Sequence, residues 1–309
     1  MEWRKSMDGI RKILPFFMIL LALSCPALAA EEKSMDDYQT MIGTYSIDAS
    51  VTGYKEYLAR YDKAERPETP ILVEGADYAR YLDESGDAEP KILTDWDGMA
   101  GQSMLLDEAA LVEYTVNVPK GGLYDLSLSY YPYEGRGANI QCAFFLDGKL
   151  SYNQMAAVSF SRIWTNSADG SFIWKKDNQG NDLKPAAVEA PTWMESCLYD
   201  NNGYITEAMS LYLEQGEHTL TILSLKEPML IHSLTFSNPA PLLPYAEQKA
   251  EWDQQGVKKT KAQMIVLEGE NAARTSSQML YPVQDQSSPS VSPSSSKLLL
   301  NNTIGGNNW

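Results

Sequence analysis

Residues 110–146, ALVEYTVNVPKGGLYDLSLSYYPYEGRGANIQCAFFL, contain three successive runs in which apolar and polar side chains alternate. Val112, Tyr114, Val116 and Val118 form one row, and Tyr124, Leu126, Leu128 and Tyr130 a second. Ile140, Cys142, Phe144 and Leu146 form the third. Successive side chains of a strand face opposite sides, so each run predicts a strand with one buried and one wetter face. Pro119 with Gly121-Gly122, and Asp147-Gly148, supply turn chemistry around these runs. The stretch therefore predicts the middle of an antiparallel β-sandwich. Tyr131 falls on the outward register opposite Tyr130, with Tyr133 and Arg136 following in the loop.

The chain of 309 residues is expected to divide into five parts. Residues 1–29 read as a secretory signal peptide: Arg4, Lys5, Arg11 and Lys12 precede an apolar run, and Ala27-Leu28-Ala29 forms a small-residue cleavage site. Pro15 and Pro26 leave that run short for a membrane span, so no membrane insertion is expected after cleavage. Residues 30–68 read as a flexible polar leader and a short helix, with Tyr54, Tyr57, Leu58 and Tyr61 on one face, Thr52 as cap and Pro67 as stop.

Residues 69–238 are the sandwich. Within them, 151–205 lose alternation but carry Trp164, Trp174 and Trp193, and a run this long without clear strands is usually functional. A hairpin turning at Gln215-Gly216 and a closing strand follow. Residues 239–262 are a linker with a short helix stopped by Gly256. Residues 263–309 echo the opening of the sandwich: QMIVLEGENAARTSSQ repeats the pattern of PILVEGADYARYLDES, Glu268-Gly269 matching Glu74-Gly75. About 46 residues cannot close a second sandwich of this kind. This part is expected to be the truncated start of a similar module.

Charge narrows the partners. Removing the net +2 of residues 1–29 from the chain's −16 leaves −18, a field that repels nucleic acid and anionic lipid. Catalysis lacks support. The chain has two histidines, neither beside a nucleophile signature, and no G-x-S-x-G or P-loop. Cys142 and Cys197 remain after cleavage; export permits a disulfide between them, and a free buried thiol at Cys142 suits its apolar row equally.

The opening strand ending in Glu, then VEYTVNVPKGGLYDLSLSYY, a DGK turn, LYLEQGEHTLTI and LIHSLTF together resemble carbohydrate-binding modules of families 6 and 35. The resemblance covers roughly residues 69–238 and part of 264–309. It implies an all-β, galactose-binding-like jelly roll with short flanking helices. It also implies a secreted, non-catalytic function with a glycan or oligosaccharide as ligand. The whole layout is similar to the amino-terminal region of bacterial extracellular solute-binding proteins, which implies work with the components of an ABC-type sugar transporter. The alternative is a structural or protein-interaction jelly roll that binds no sugar.

The family holds sugar on aromatic and polar loop residues. Carried onto this chain, that points to Tyr131, Tyr133 and Arg136 in YYPYEGRGAN, and to Trp164 and Asn166 in FSRIWTN. An aromatic face packs on sugar C–H groups while fixed donors and acceptors meet the hydroxyls. The family also implies a structural calcium bound by Glu-x-Glu on the first strand and an Asp on the last. Here Glu74 is followed by Ala76 at the second position, with Asp77 nearby, and His232 stands at the place of the closing Asp. Those departures remove oxygen ligands that calcium needs and leave Glu74 as the candidate ligand.

Overall fold

The structure, a computed structural model, describes residues 32–165 apart from 47 and 49, then 175–180, 182–183, 187–239, 243–258, 264, 273–278, 280–284 and 298–302. Residues 1–29, read from the sequence as a signal peptide, and Asn166, Trp174 and residues 268–270 lie outside this set. No described helix is long and apolar enough to cross a membrane.

The strands in chain order are β1 (Ile71–Glu74), β2 (Arg80–Asp83), β3 (Gly86–Asp87), β4 (Ile92–Thr94), β5 (Gln102–Leu106), β6 (Leu111–Val118), β7 (Gly122–Pro132), β8 (Ile140–Leu146), β9 (Val158–Phe160) and β10 (Trp164–Thr165). There follow β11 (Lys175–Lys176), β12 (Asp182–Leu183), β13 (Val188–Glu189), β14 (Met194–Cys197), β15 (Ser210–Leu213), β16 (Gly216–Lys226), β17 (Met229–Ser237), β18 (Leu280–Gln284) and β19 (Leu298–Asn302). The helices are α1 (Met35–Thr44), α2 (Tyr54–Ala59) and α3 (Tyr245–Gln254).

Two antiparallel sheets make the sandwich, an all-β jelly roll as the sequence predicts. The first runs β14-β7-β17-β5-β4, with β15 also on β7 and β1 also on β17; the second runs β3-β2-β6-β16-β8-β9. The three alternating runs do become strands, and they divide between sheets: β7 lies in the first, while β6 and β8 flank β16 in the second. Their apolar rows meet between the sheets, where Tyr114, Leu126, Leu128, Ile140, Cys142 and Phe144 are fully buried. In β17 the register shifts between Ile231 and Ser233. This bulge at His232 lets Met229 and Ile231 on one side, and Leu234 and Phe236 on the other, all reach the core.

Three expectations need correction. The segment around Gln215-Gly216 is no hairpin, because β15 pairs with β7 while β16 pairs with β6 and β8. The chain crosses between sheets there, beside the oppositely directed crossing at Gly121, where an added Cβ would lie 3.1 Å from the Gln215 amide nitrogen. The polar leader contains α1, started by a capping box between Ser34 and Asp37 and docked through Tyr38, whose ring lies 4.7 Å from that of Phe145. Finally, α2 takes Gly53 rather than Thr52 as its cap and ends earlier than expected. Its tyrosines do sit on one face, and two of their hydroxyls accept from the edge strand β15: Ser210 N–H to Tyr54 (2.9 Å) and Tyr212 N–H to Tyr57 (2.8 Å). An edge whose amides are occupied cannot recruit another strand.

Cys142 and Cys197 are both free thiols. Burial pushes the Cys142 thiol far up, and Cys197 is also raised, by burial and then by Asp125 and Glu195. The linker helix appears as α3, and Gly256 follows it with φ +75°.

Candidate functional site

The alternation that sends Tyr130 into the core sends Tyr131 to the outer face of the first sheet. There it lines up with Leu230 of β17, which pairs in turn with Leu105 of β5. The three side chains form a second, separate apolar cluster, with Leu93, Trp96, Tyr133 and Trp193 packed against it.

Trp96 reaches this row from the β4–β5 connection, residues 95–101. Asp95 (φ 52°) and Asp97 (φ 45°) adopt left-handed conformations rare for residues with a side chain, and Gly98 and Gly101 are left-handed too. The turn is closed by Asp95 N–H to the Gly101 carbonyl (2.8 Å) and by Gly101 N–H to Asp95 Oδ1 (2.9 Å). Backbone strain of this kind persists where surrounding contacts fix it. Here the fold of the turn lays Trp96 against Tyr131, with ring centroids 6.2 Å apart at 88°, and against Tyr133 at 5.8 Å and 48°. Trp193 packs on Tyr131 at 5.3 Å and donates its indole N–H to the Trp96 carbonyl (2.9 Å).

Between these rings and the loops lies a cavity of about 240 Å3, lined by Trp96, Tyr131, Tyr133 and Glu134 together with Glu189 and two prolines. The Trp96 indole nitrogen is buried beside the Tyr131 hydroxyl with no hydrogen-bond partner of normal geometry among the described residues. The Tyr131 phenol is raised, first by burial, then by Asp97 and, more weakly, by Glu189. Lys91 holds the outer edge, its Nζ 3.3 Å from the Tyr133 hydroxyl and 5.6 Å from the ring centroid. A larger, more open groove of about 470 Å3 lies between α1 and the β2–β3 turn; half of its lining is charged, with Asp36, Arg80, Asp83, Glu84 and Asp87, and it has no aromatic ring.

A buried ion network holds the cavity wall. Arg162 and Glu227 are both fully buried and pair at 2.9 Å. Arg162 also donates to Glu189 Oε1 (2.5 Å) and to the carbonyls of Tyr133 (3.0 Å) and Ala138 (2.9 Å). Glu227 accepts from the amides of Arg136 (2.8 Å) and Ala138 (3.3 Å). The loop 133–138 is thus clamped from both charges, and Glu189 is fixed at the cavity.

Of the residues singled out from sequence, Tyr131 and Tyr133 come together here, although Tyr131 is only 8% exposed. Arg136 does not join them: its guanidinium turns outward to Glu108 (2.6 Å), with Glu227 at 3.7 Å. Trp164 is buried behind the loop, against Gly137, and its backbone pairs with Glu189 on one side and Thr275 on the other. Asn166 lies outside the described residues. Sequence reasoning missed Trp96, Glu134, Glu189 and Lys91. The D-W-D-G of residues 95–98 was a signal for the first, since a tryptophan inside a turn between strands has no core to enter.

The residues near Glu74 do not fit a calcium site. Glu74 is exposed at the end of β1 opposite Ser233, Ala76 has no side-chain oxygen to offer, and the His232 ring is engaged with Ser103 (3.2 Å) and Trp193 (5.7 Å). Among the described residues no three Asp, Glu, His or Cys side chains converge as a metal site.

A two-sheet jelly roll with an aromatic cavity on the outer face of one sheet is the class of structure these observations define. No protein-family model matches the chain, and no curated protein matches it. Solved structures do. A family 35 carbohydrate-binding module from Clostridium thermocellum is 15% identical, over 55% of this chain and 99% of that one, with a TM-score of 0.33. A family 35 module from Cellvibrio japonicus Abf62 is 14% identical, over 56% and 95%, with a TM-score of 0.33. A family 6 module from Cellvibrio mixtus lichenase 5A, solved in complex with cellotriose, is 12% identical, over 56% and 98%, with a TM-score of 0.28.

Proposed function

We propose that this protein is a non-catalytic carbohydrate-binding module whose glycan or oligosaccharide ligand sits in the cavity between Trp96, Tyr131 and Tyr133. The observation that carries this reading is the cavity itself: ring faces are held at fixed angles around a small space whose rim offers Glu134 and Glu189 as acceptors. Sugar binding needs that combination of apolar faces and placed polar atoms. At about 240 Å3 the space lies below the roughly 300–1,000 Å3 of a drug-sized site, which suits one sugar unit at a time. The reading of residues 1–29 as an export signal, with the layout of the chain, supports a secreted protein working with a bacterial sugar-uptake transporter.

Retention on immobilised polysaccharides tests the reading. Trp96→Ala and Tyr133→Ala should each weaken retention at least about tenfold, the scale of one lost aromatic contact. A folded protein that binds no glycan on a broad panel at millimolar sugar would refute it. The second reading, a structural or protein-docking jelly roll, is favoured by the interlocking of Trp96, Tyr131 and Trp193, which uses much of the aromatic surface internally. That reading expects the blank panel together with recovery of a transporter component in a pull-down.

A further inference from the structure

The charges around the cavity say more about the ligand than the rings do. Glu189 accepts from Arg162 at Oε1, and among the described residues its Oε2 accepts no hydrogen bond. Arg162 does not neutralise it alone, because the same guanidinium is shared with the fully buried Glu227. Glu134 lines the cavity from the other side, and Asp97 acts on the Tyr131 hydroxyl. Among the described cations nearby, Arg136 is paired with Glu108, and Lys91 stands at the outer edge of Tyr133 rather than inside the cavity. Carboxylates therefore outnumber cations around three ring faces. Lys91 already shows one of those rings carrying an ammonium, at 5.6 Å, within the roughly 6 Å over which such rings attract cations.

We propose that the cavity takes a sugar unit bearing a protonated primary amine, with the rings of Trp96, Tyr131 and Tyr133 around it and Glu189 as its counter-ion, and that it rejects uronates. This rests on the glycan reading of the same cavity and adds the class of sugar. A carboxylate ligand would meet Glu134, Glu189 and Asp97, against the lone ammonium of Lys91 at the outer edge of Tyr133 among the described residues. An ammonium gains the carboxylate and the ring quadrupoles together.

The test uses the full chain at about pH 6, below the roughly 7.7–8.0 of an α-amino group, in about 0.15 M salt so that distant charges are screened. Calorimetry would compare the β-1,4-linked glucosamine disaccharide, its di-N-acetylated form and a galacturonic acid disaccharide. The amine form is expected to bind at least about tenfold more tightly than the N-acetylated form, with no binding of the uronate. Glu189→Gln keeps an acceptor for Arg162, so the fold should hold; it is expected to erase the preference while leaving weak binding of the N-acetylated sugar. Glu134→Gln, at an exposed position, should reduce the preference by a smaller factor.

Equal affinity for amine and N-acetyl forms, unchanged in Glu189→Gln, would overturn the inference and leave the glycan reading standing. Amine binding that survives Trp96→Ala and Tyr133→Ala would overturn it as diffuse attraction to an acidic surface. Asp36→Asn and Asp83→Asn, in the groove beside α1, should change nothing, and a loss there would overturn it in the same way. Failure of every glycan to bind would overturn both readings together.

Discussion

Replacing Arg162 by Met removes a cation from the interior and leaves its partner behind. In the native structure the guanidinium is fully buried, pairs with Glu227 at 2.9 Å and Glu189 at 2.5 Å, and bonds two loop carbonyls. After the substitution Glu227 keeps, among the described residues, the amides of Arg136 and Ala138 and a guanidinium at 3.7 Å. Breaking one partner out of a buried pair costs about 3–5 kcal/mol, because the remaining charge is stranded. A domain of this size loses roughly 2–4 °C of Tm per kcal/mol, so Arg162→Met should lower Tm by roughly 6–20 °C. With a urea m-value near 2 kcal/mol/M, the denaturation midpoint should fall by about 2 M at unchanged slope.

The companion variant decides the mechanism. Glu227→Gln in the Arg162→Met background removes the stranded charge, so the double variant should be more stable than the sum of the two single losses predicts, by about 0.5–3 kcal/mol. Differential scanning fluorimetry and urea titration of all four proteins complete the cycle. Strict additivity, or a Tm loss under about 2 °C for Arg162→Met, would refute the claim that this pair clamps the loop. The same variant should loosen Tyr133 and Glu189, so glycan binding ought to fall even at temperatures where the protein stays folded.

Three further outcomes follow from neighbouring features. Gly135→Ala should destabilise by about 1–3 kcal/mol, since its Cβ would overlap the Glu227 carboxylate and lie 2.8 Å from Arg162 Nη2; urea titration reads this, and a neutral result would show that the loop can move away from the pair. Tyr38, Tyr57, Tyr81 and Tyr130 are each pushed up to about 12, chiefly by burial. Unfolded tyrosines ionise near 10, so between pH 10 and 12 the unfolded chain sheds protons that the folded one keeps, and stability falls as pH rises; tyrosinate absorbance should therefore appear together with loss of structure, not before it. Millimolar calcium, or its removal by a chelator, should shift stability by less than about 0.4 kcal/mol, the value for a dissociation constant at or above the calcium concentration, because Ala76 and His232 leave Glu74 without the oxygen partners such a site needs; a larger thermal shift would reinstate the metal.

Much of the sandwich was legible because parity along a strand is set by the chain itself. Val112 to Val118 and Tyr124 to Tyr130 carried their own face assignment, and Tyr131 was placed outward by the same rule. What parity cannot report is the partner strand. LYLEQGEHTLTI alternates on both sides of Gln215-Gly216, yet β15 and β16 belong to opposite sheets, a choice made by where β7, β6 and β8 lie. The helix α1 was missed for a related reason: its capping box was readable at Ser34 and Asp37, but its stability comes from Tyr38 docking on Phe145, a contact more than 100 positions away. In the cavity, Tyr133 was accessible to reasoning and Glu189 was not. Glu189 owes its position to Arg162, a buried charge in a stretch with no periodic signal.

The two sheets meet one structural problem in different ways, and the difference explains why the cavity exists. An antiparallel sheet can leave its outer face to water only if that face is polar. On the second sheet the outward Phe145 is covered by α1 through Tyr38, whose hydroxyl is satisfied by Glu113 (3.1 Å) and Thr221 (3.2 Å), so the surface closes. On the first sheet the outward row of Leu105, Leu230 and Tyr131 is covered by single side chains from loops: Trp96 out of a left-handed turn, Trp193 from the irregular segment just before β14, and Tyr133 from the clamped loop. Rings set at steep angles to one another do not tile a surface as a helix does, and the space they leave is walled by aromatic faces. A sheet that only needed shielding could use polar outward residues or a second helix. Strained backbone at Asp95 and Asp97 and a desolvated Arg162–Glu227 pair are instead maintained around that space, a distribution that accords with the glycan site proposed for it.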